Sequence, residues 1–441
     1  MRLLLSMIFV LLALPALAEQ VRVAPGEGTL QTAIAEASSG DVLLLSAGIY
    51  PGPFVIDRSL TIAGVPGAIL DGQGVGSVVT LTGDDITLKG LGITHSGRRN
   101  QDIDSGVKIV KGADRNIIEA NHFTNNMHGI DVHGGVDCVV RDNVIEGLQV
   151  ARMNERGNGI YVWHAPGLIA ERNDIRFGRD GIFSNASSDD IYRGNIFRDL
   201  RFAVHYMYTK DSEVSGNISI GNHLGYAIMS SDRVKIVNNL SLRDRDHGLM
   251  INASNRSDFS GNLVRGAAKC TFLYNANNNL FVANRFEGCD IGIHFTAGSE
   301  GNAVTGNSFV GNRNQVKYVG TRHIEWSFEG RGNYWSDHVA FDLNGDGFAD
   351  SPFHPNDLMD SILWSQPSAS LLIGSPAVQL IRWSQSSFPA TLPGGVVDSH
   401  PLMTATPFTT PENIAAMEAL VGDRWLKDPS HDADTDTSMS N

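Results

Sequence analysis

Short alternations of apolar and polar residues recur along this chain at a fixed interval. A small residue, an apolar one, a variable one and usually a second apolar one repeat as Gly106-Val107-Lys108-Ile109, Gly129-Ile130-Asp131-Val132, Gly181-Ile182-Phe183-Ser184, Ala227-Ile228-Met229-Ser230, Gly248-Leu249-Met250-Ile251 and Gly292-Ile293-His294-Phe295. Asparagine keeps step with this ladder at 121, 143, 173, 195, 217, 239, 262, 284 and 307, spaced by 22 or 23 residues with a single interval of 30. Period-two alternation inside a repeat of this length, with no helix-length pattern, predicts an all-β solenoid of the parallel β-helix type, in which each coil buries one apolar row against its neighbours. Leucine-rich repeats share the period but require leucines that are absent here. The asparagines are expected at left-handed corner positions, bonding from coil to coil. Residues 42 to 328 accommodate about a dozen coils, a rod near 60 Å long at about 4.8 Å per coil. The helical pattern from Thr29 to Ala37 suits a cap on the open end.

Composition narrows the function. With 34 Lys plus Arg against 48 Asp plus Glu, a net charge of −14, a nucleic-acid partner is improbable. The 47 glycines point to turns rather than to a helical bundle. Arg2, the apolar run Leu3 to Leu14 and Ala16-Leu17-Ala18 read as a cleaved export signal over residues 1–18, which places the mature chain outside the reducing cytoplasm. Three cysteines, Cys138, Cys270 and Cys289, exclude a disulfide framework. Cys138 reads as a small buried residue. Cys270 and Cys289 lie near one another but two places out of phase, so a bond between them requires distortion.

The β-helix is expected to span 19–330, a module 331–405, and a short helix with an acidic disordered tail 406–441. Within the module, Asp342, Asn344, Asp346 and Asp350 stand at positions 1, 3, 5 and 9 of a loop with glycine at 6, and the Phe348 carbonyl falls at position 7. Such a loop predicts calcium, although Phe353 replaces the twelfth-position carboxylate of a calcium hand. Leu371, Leu372, Ile373, Val378, Leu380, Ile381 and Trp383 are apolar at helical spacing. They predict either a helix packed over the last coil or a dock for a partner.

At the level of motifs, Asn333-Tyr334-Trp335-Ser336-Asp337 joined to the calcium loop, Ser375-Pro376-Ala377-Val378-Gln379, and Gly394-Gly395-Val396-Val397-Asp398-Ser399-His400-Pro401-Leu402 follow one another behind the repeat. Over about residues 30 to 405 the chain resembles the NosD family of periplasmic copper-processing proteins. The first block occurs in other β-helix proteins; the later blocks and their order select this family. The resemblance implies a right-handed β-helix that docks on an ABC transporter permease and ATPase complex. It also implies a non-enzymatic role in delivering copper for nitrous oxide reductase maturation, with a copper chaperone lipoprotein and the reductase as further partners.

The ladder of small and apolar residues identifies candidate ligands. Residues at its third position face outward, and that column is expected to read Asp131, Tyr161, Phe183, His205, Met229, Met250, Leu273, His294. Thioethers and imidazole suit Cu(I), so Met229 and Met250 on neighbouring rungs with His205 form a candidate copper site, with His247 and Cys270 close by. His400 and Met403 are weaker candidates. The bland alternative is an apolar strip covered by a loop or a partner. A rival class is a polyuronide lyase, epimerase or hydrolase that stacks sugars on Tyr161, Trp163 and Phe183 and uses Asp131, Asp180 and His205, although Asp131 and Asp180 fall in different columns. A calcium-stabilised adhesin is a third. The insertions 96–105 and 147–156, where the period breaks, are loops open to binding.

Overall fold

The computed structural model describes residues 18–320, 322–355, 375–388, 394–410 and 412–419, with isolated positions between 362 and 372. Apart from Ala18, the expected export signal lies outside the described residues, as do the acidic tail and Leu371 and Ile373 of the proposed dock. Three parallel sheets of 13, 13 and 12 strands run along the molecule. Each coil gives one strand to each sheet in turn, as Ile117–Glu119, His122–Thr124 and His128–His133 do. We refer to these as the first, second and third sheets. Alternating side chains point inward and fill the interior with Ile118, Phe123, Ile130, Val132 and their equivalents, all fully buried. The N-terminal helix Thr29–Glu36 buries Leu30 and Ile34 at the start of the rod.

The asparagine ladder lies at the corner between the first and second sheets. Asn195 donates its backbone N–H and its Nδ2 to Oδ1 of Asn217, both at 2.9 Å, and Nδ2 donates again to Ala170 O. The same pattern joins Asn217 to Asn239 and Asn262 to Asn284. The left-handed residue is the one before each asparagine, such as Ala120, Arg172, Asn238 or Ala283 with φ of 53 to 55°, and not the asparagine itself as expected. One left-handed residue makes the corner, and the following side chain is then free to point along the rod axis.

The ladder ends on the C-terminal module. Asn333 N–H and Trp335 Nε1 both donate to Oδ2 of Asp398 at 2.7 Å. Gly332 leaves room for that carboxylate: a Cβ there would sit within 1.8 Å of Asp398 Oδ1. Gly395–Val397 pairs with His323–Glu325, Leu402 bridges to Tyr334 and Phe348, and Trp335 stacks on Phe309 at 4.3 Å. The block Gly394 to Leu402 therefore closes the end of the rod. Helix Pro376–Ser387 starts at Ser375, whose Oγ accepts from Val378 N–H, and buries Val378 and Gln385. Leu380 and Trp383 remain 64% exposed. Helix Ile414–Ala419 lays Ile414 and Met417, with Phe408, over Leu240, Leu242 and Leu263 outside the second sheet.

Candidate metal site on the outer face of the third sheet

Register sets which side chains share a column. The central outward column runs Asp131, Tyr161, Phe183, His205, Ala227, Met250, Phe272, His294. The expected column is thus corrected at two rungs: Met229 belongs to the next column, opposite Asn252, and Leu273 faces inward. The slip has a physical source. Gly225 and Ala227 both read as the small residue of the repeat, but Gly225 fills that position, where an added Cβ would lie 2.5 Å from Gly248 O. Tyr226 then points inward, fully buried, and its hydroxyl donates to Leu240 O at 3.0 Å.

Met229 nevertheless packs against the cluster that holds Met250. Phe202, Leu224, Ala227 and Met250 form a buried apolar cluster outside the sheet, separate from the interior core, and Met229 and Phe272 pack against it. His205 stands one rung before Ala227 in the central column, its ring tilted against that of Phe183 with the centroids 4.8 Å apart. Its Nδ1 lies 3.2 Å from Asp180 Oδ2, while its Nε2 is buried with no hydrogen-bond partner. Arg201 grips the same carboxylate through Nε at 2.8 Å and a second nitrogen at 2.6 Å. Burial opposes ionisation of Asp180, but the Arg201 guanidinium and the His205 ring outweigh it and hold the carboxyl far below its usual range. A fixed carboxylate directs the imidazole N–H and leaves the Nε2 lone pair facing away, the arrangement that orients a metal-binding histidine.

The remaining candidates are placed differently. His247 has Nε2 hydrogen-bonded at 3.1 Å to Lys269 Nζ, while its Nδ1 lies 2.9 Å from Asp246 as a charge contact without a hydrogen bond. Cys270 carries no free thiol, because it is bonded to Cys289 with their Cα atoms 5.7 Å apart. The chain turns a corner between these coils, so counting along a straight strand overstated their separation, and Cys270 is withdrawn as a copper ligand. Cys138 is free and buried, its thiol pushed up to about 11 by burial. His400 is exposed, with Nδ1 3.1 Å from Ser327 Oγ. In the loop Asp342 to Asp350, Asp342 accepts from Gly345 and Gly347 N–H, Asp346 from Phe348 N–H and Asp350 from Leu343 N–H. Among the described residues no three His, Cys, Asp or Glu side chains converge as a metal cage.

Asp131, one of the three residues weighed for sugar chemistry, is fully buried 3.6 Å from Lys108, and burial pushes it up to about 7. Asp180 is held ionised by Arg201 in a different column, so the two do not form an acid–base pair. Both insertions open from the corner between the second and third sheets and flank this face. His128 Nε2 is 3.0 Å from Asn100 Oδ1 in the first, and Arg179 N–H donates to Gly157 O beside the second. Reading the repeat only as far as Tyr206 missed Met207, which ends its strand half-buried and outward, opposite Met229. Carrying each repeat one residue further would have found it.

A parallel β-helix with a closed end and an imidazole–thioether face is the class that these features define. Residues 142–340 match a family described as periplasmic copper-binding protein (NosD). Over 373 residues the chain is 39% identical to a protein of Pseudomonas aeruginosa named probable ABC transporter binding protein NosD, covering 81% of this chain and 87% of that one. A protein of the same name from Stutzerimonas stutzeri is 37% identical over 374 residues, covering 81% and 86%. The chain belongs to the NosD family, a family of periplasmic copper-binding proteins. Among solved structures, the Streptococcus pneumoniae surface protein and adhesin PfbA shares the fold, with a TM-score of 0.54 and 12% identity over 66% of this chain and 94% of that one. No helix among the described residues is long and apolar enough to cross a membrane.

Proposed function

We propose that this chain carries Cu(I) in transit on the outer face of its third sheet, without catalysing a reaction, and releases it for assembly of the nitrous oxide reductase copper centre. The observation that carries this reading is His205: its ring is directed by Asp180 and Arg201, and its Nε2 is buried without a partner, on the face where Met250 sits in an apolar cluster with Met229 packed against it. An unpaired buried nitrogen has a cost of about 1 to 3 kcal/mol, which a bound ion removes. Neutral imidazole and thioether are donors that favour Cu(I) over harder cations.

The partners belong to the same reading. Leu380 and Trp383 on helix Pro376–Ser387 offer an exposed apolar surface for docking on an ABC transporter permease and ATPase complex, consistent with the name of the relatives. A copper chaperone lipoprotein would supply the ion and the reductase would receive it. The loop Asp342 to Asp350 is proposed to hold structural calcium, and its ties to the end cap, Ala349 N–H to Pro401 O and Met403 N–H to Gly347 O, would couple the ion to closure of the rod. The test is Cu(I) competition against a colorimetric chelator under reducing conditions. Wild type should compete and His205→Gln should compete poorly; a wild type that cannot take copper from the chelator would remove the reading. Recovery of transporter subunits with the chain from membranes tests the docking.

A further inference from the structure

Two outward methionines stand in register on neighbouring rungs of the third sheet, Met207 opposite Met229. Asn185 precedes the pair in the same column and Asn252 follows it, so four consecutive coils present amide, thioether, thioether, amide. Neighbouring strands lie about 4.8 Å apart, a span that one ion held by two sulfurs can bridge. Packing accounts for only one of the two. Met229 rests against the outer apolar cluster, whereas Met207 belongs neither to that cluster nor to the interior core. Both are half-buried, while Met250 is 3% exposed and His205 7%. A half-exposed methionine outside any apolar cluster gains little from burial, and what it offers instead is a soft, adaptable donor.

Depth and position then order the ligands. Met207 and His205 are two residues apart on one strand and share its outer face, about 6.6 Å apart along it. The methionine pair is therefore the accessible column, and His205 with Met250 the buried one beside it. We infer that Met207 and Met229 form a capture station that takes Cu(I) first and passes it one column inward to His205 Nε2 and Met250. This inference rests on the copper reading above. The step is ligand exchange only: copper–thioether bonds at the outer pair break as bonds to the imidazole nitrogen and the inner sulfur form. Copper stays Cu(I), and no proton or electron moves, because thioether and imidazole are neutral donors throughout.

The test separates rate from affinity. Cu(I) transfer from a colorimetric chelator to the full chain is followed by stopped flow under reducing conditions, beside an equilibrium competition, for wild type, Met207→Leu, Met229→Leu and the double variant. The double variant should take up copper at least about tenfold more slowly, a barrier increase of about 1.4 kcal/mol, while its equilibrium affinity changes far less than that of His205→Gln. Met207→Gln, which suits a half-exposed strand position, controls for packing and should slow uptake as Met207→Leu does; thermal melts verify that each variant folds. Uptake at the wild-type rate by the double variant would overturn the capture station and leave the copper reading standing. A loss of equilibrium affinity as large as that of His205→Gln would overturn the order of stations. Failure of the wild type itself to bind Cu(I) would overturn both.

Discussion

The corner between the first and second sheets and the outer face of the third are both columns built by the same repeat, yet they treat polar atoms in opposite ways. At the corner, each asparagine is buried and its amide is used twice or more, as at Asn195 and Asn217. On the third sheet, Nε2 of His205 and both carboxylate oxygens of Asp131 are buried with no hydrogen-bond partner. A satisfied polar column lowers the free energy of the rod and specifies its register; an unsatisfied one costs free energy and is retained where a ligand completes it.

The largest effect is expected where satisfaction is complete. Asn217→Ala removes the acceptor for Asn195 N–H and Nδ2 and the donor to Tyr192 O and Asn239 Oδ1. Several buried groups are left unpaired at once, and denaturant unfolding should report a loss of about 3 to 5 kcal/mol. A loss under about 1 kcal/mol would break the comparison, since the ladder would then be ornamental.

On the other side of the comparison, Asp180→Asn leaves the shape of the site but loses the charge that directs His205. Cu(I) affinity should fall about 10- to 100-fold, the usual effect of losing a carboxylate behind a metal-binding histidine. The end cap sharpens the contrast further. If calcium occupies the Asp342 to Asp350 loop at about 100 times its dissociation constant, chelation should cost about 2.7 kcal/mol, and Asp346→Ala should reproduce that loss in excess calcium. Melting curves unmoved by either would reduce the loop to an Asp-rich turn.

Smaller effects follow from pH and from volume. Burial raises Asp244 to about 7, even though Ser241 and Ser219 hydroxyls and Asn222 N–H donate to it. Its folded pKa lies above the unfolded value of 3.8. The folded chain thus holds a proton that the unfolded chain has released, and this contribution to stability, complete below pH 4, is lost as pH rises towards 7. Unfolding measured across that window should show stability falling with pH, and Asp244→Asn should flatten the slope. Met250→Leu keeps volume and apolarity, so folding should change by less than about 1.5 kcal/mol while copper binding weakens.

Much of this architecture was legible in the sequence because period and alternation are enforced at every coil. The asparagine spacing pointed to coil-to-coil bonding, and the helix at the start followed from the pattern before the first coil, whereas the block near Asp398 read only as a motif and gave no sign of closing the rod. What the sequence concealed arose where two residues satisfied the same rule. Gly225 and Ala227 are both small, and only the close approach of the Gly248 carbonyl decides between them. That choice moved Met229 into the next column and hid its partner Met207. The Cys270–Cys289 bond spans a corner, where linear counting does not measure distance. The role of Asp180 was equally hidden, because a carboxylate that directs a histidine 25 residues away becomes visible only when their coils are stacked.

X-ray absorption at the copper edge of the Cu(I)-loaded chain tests the central claim most directly, since it reads the donor atoms themselves. The account predicts a mixed shell of imidazole nitrogen and thioether sulfur, with the imidazole contribution lost in His205→Gln and the sulfur contribution diminished in Met250→Leu. A shell of light atoms alone, unchanged in both variants, would contradict it and move the copper off this face of the rod.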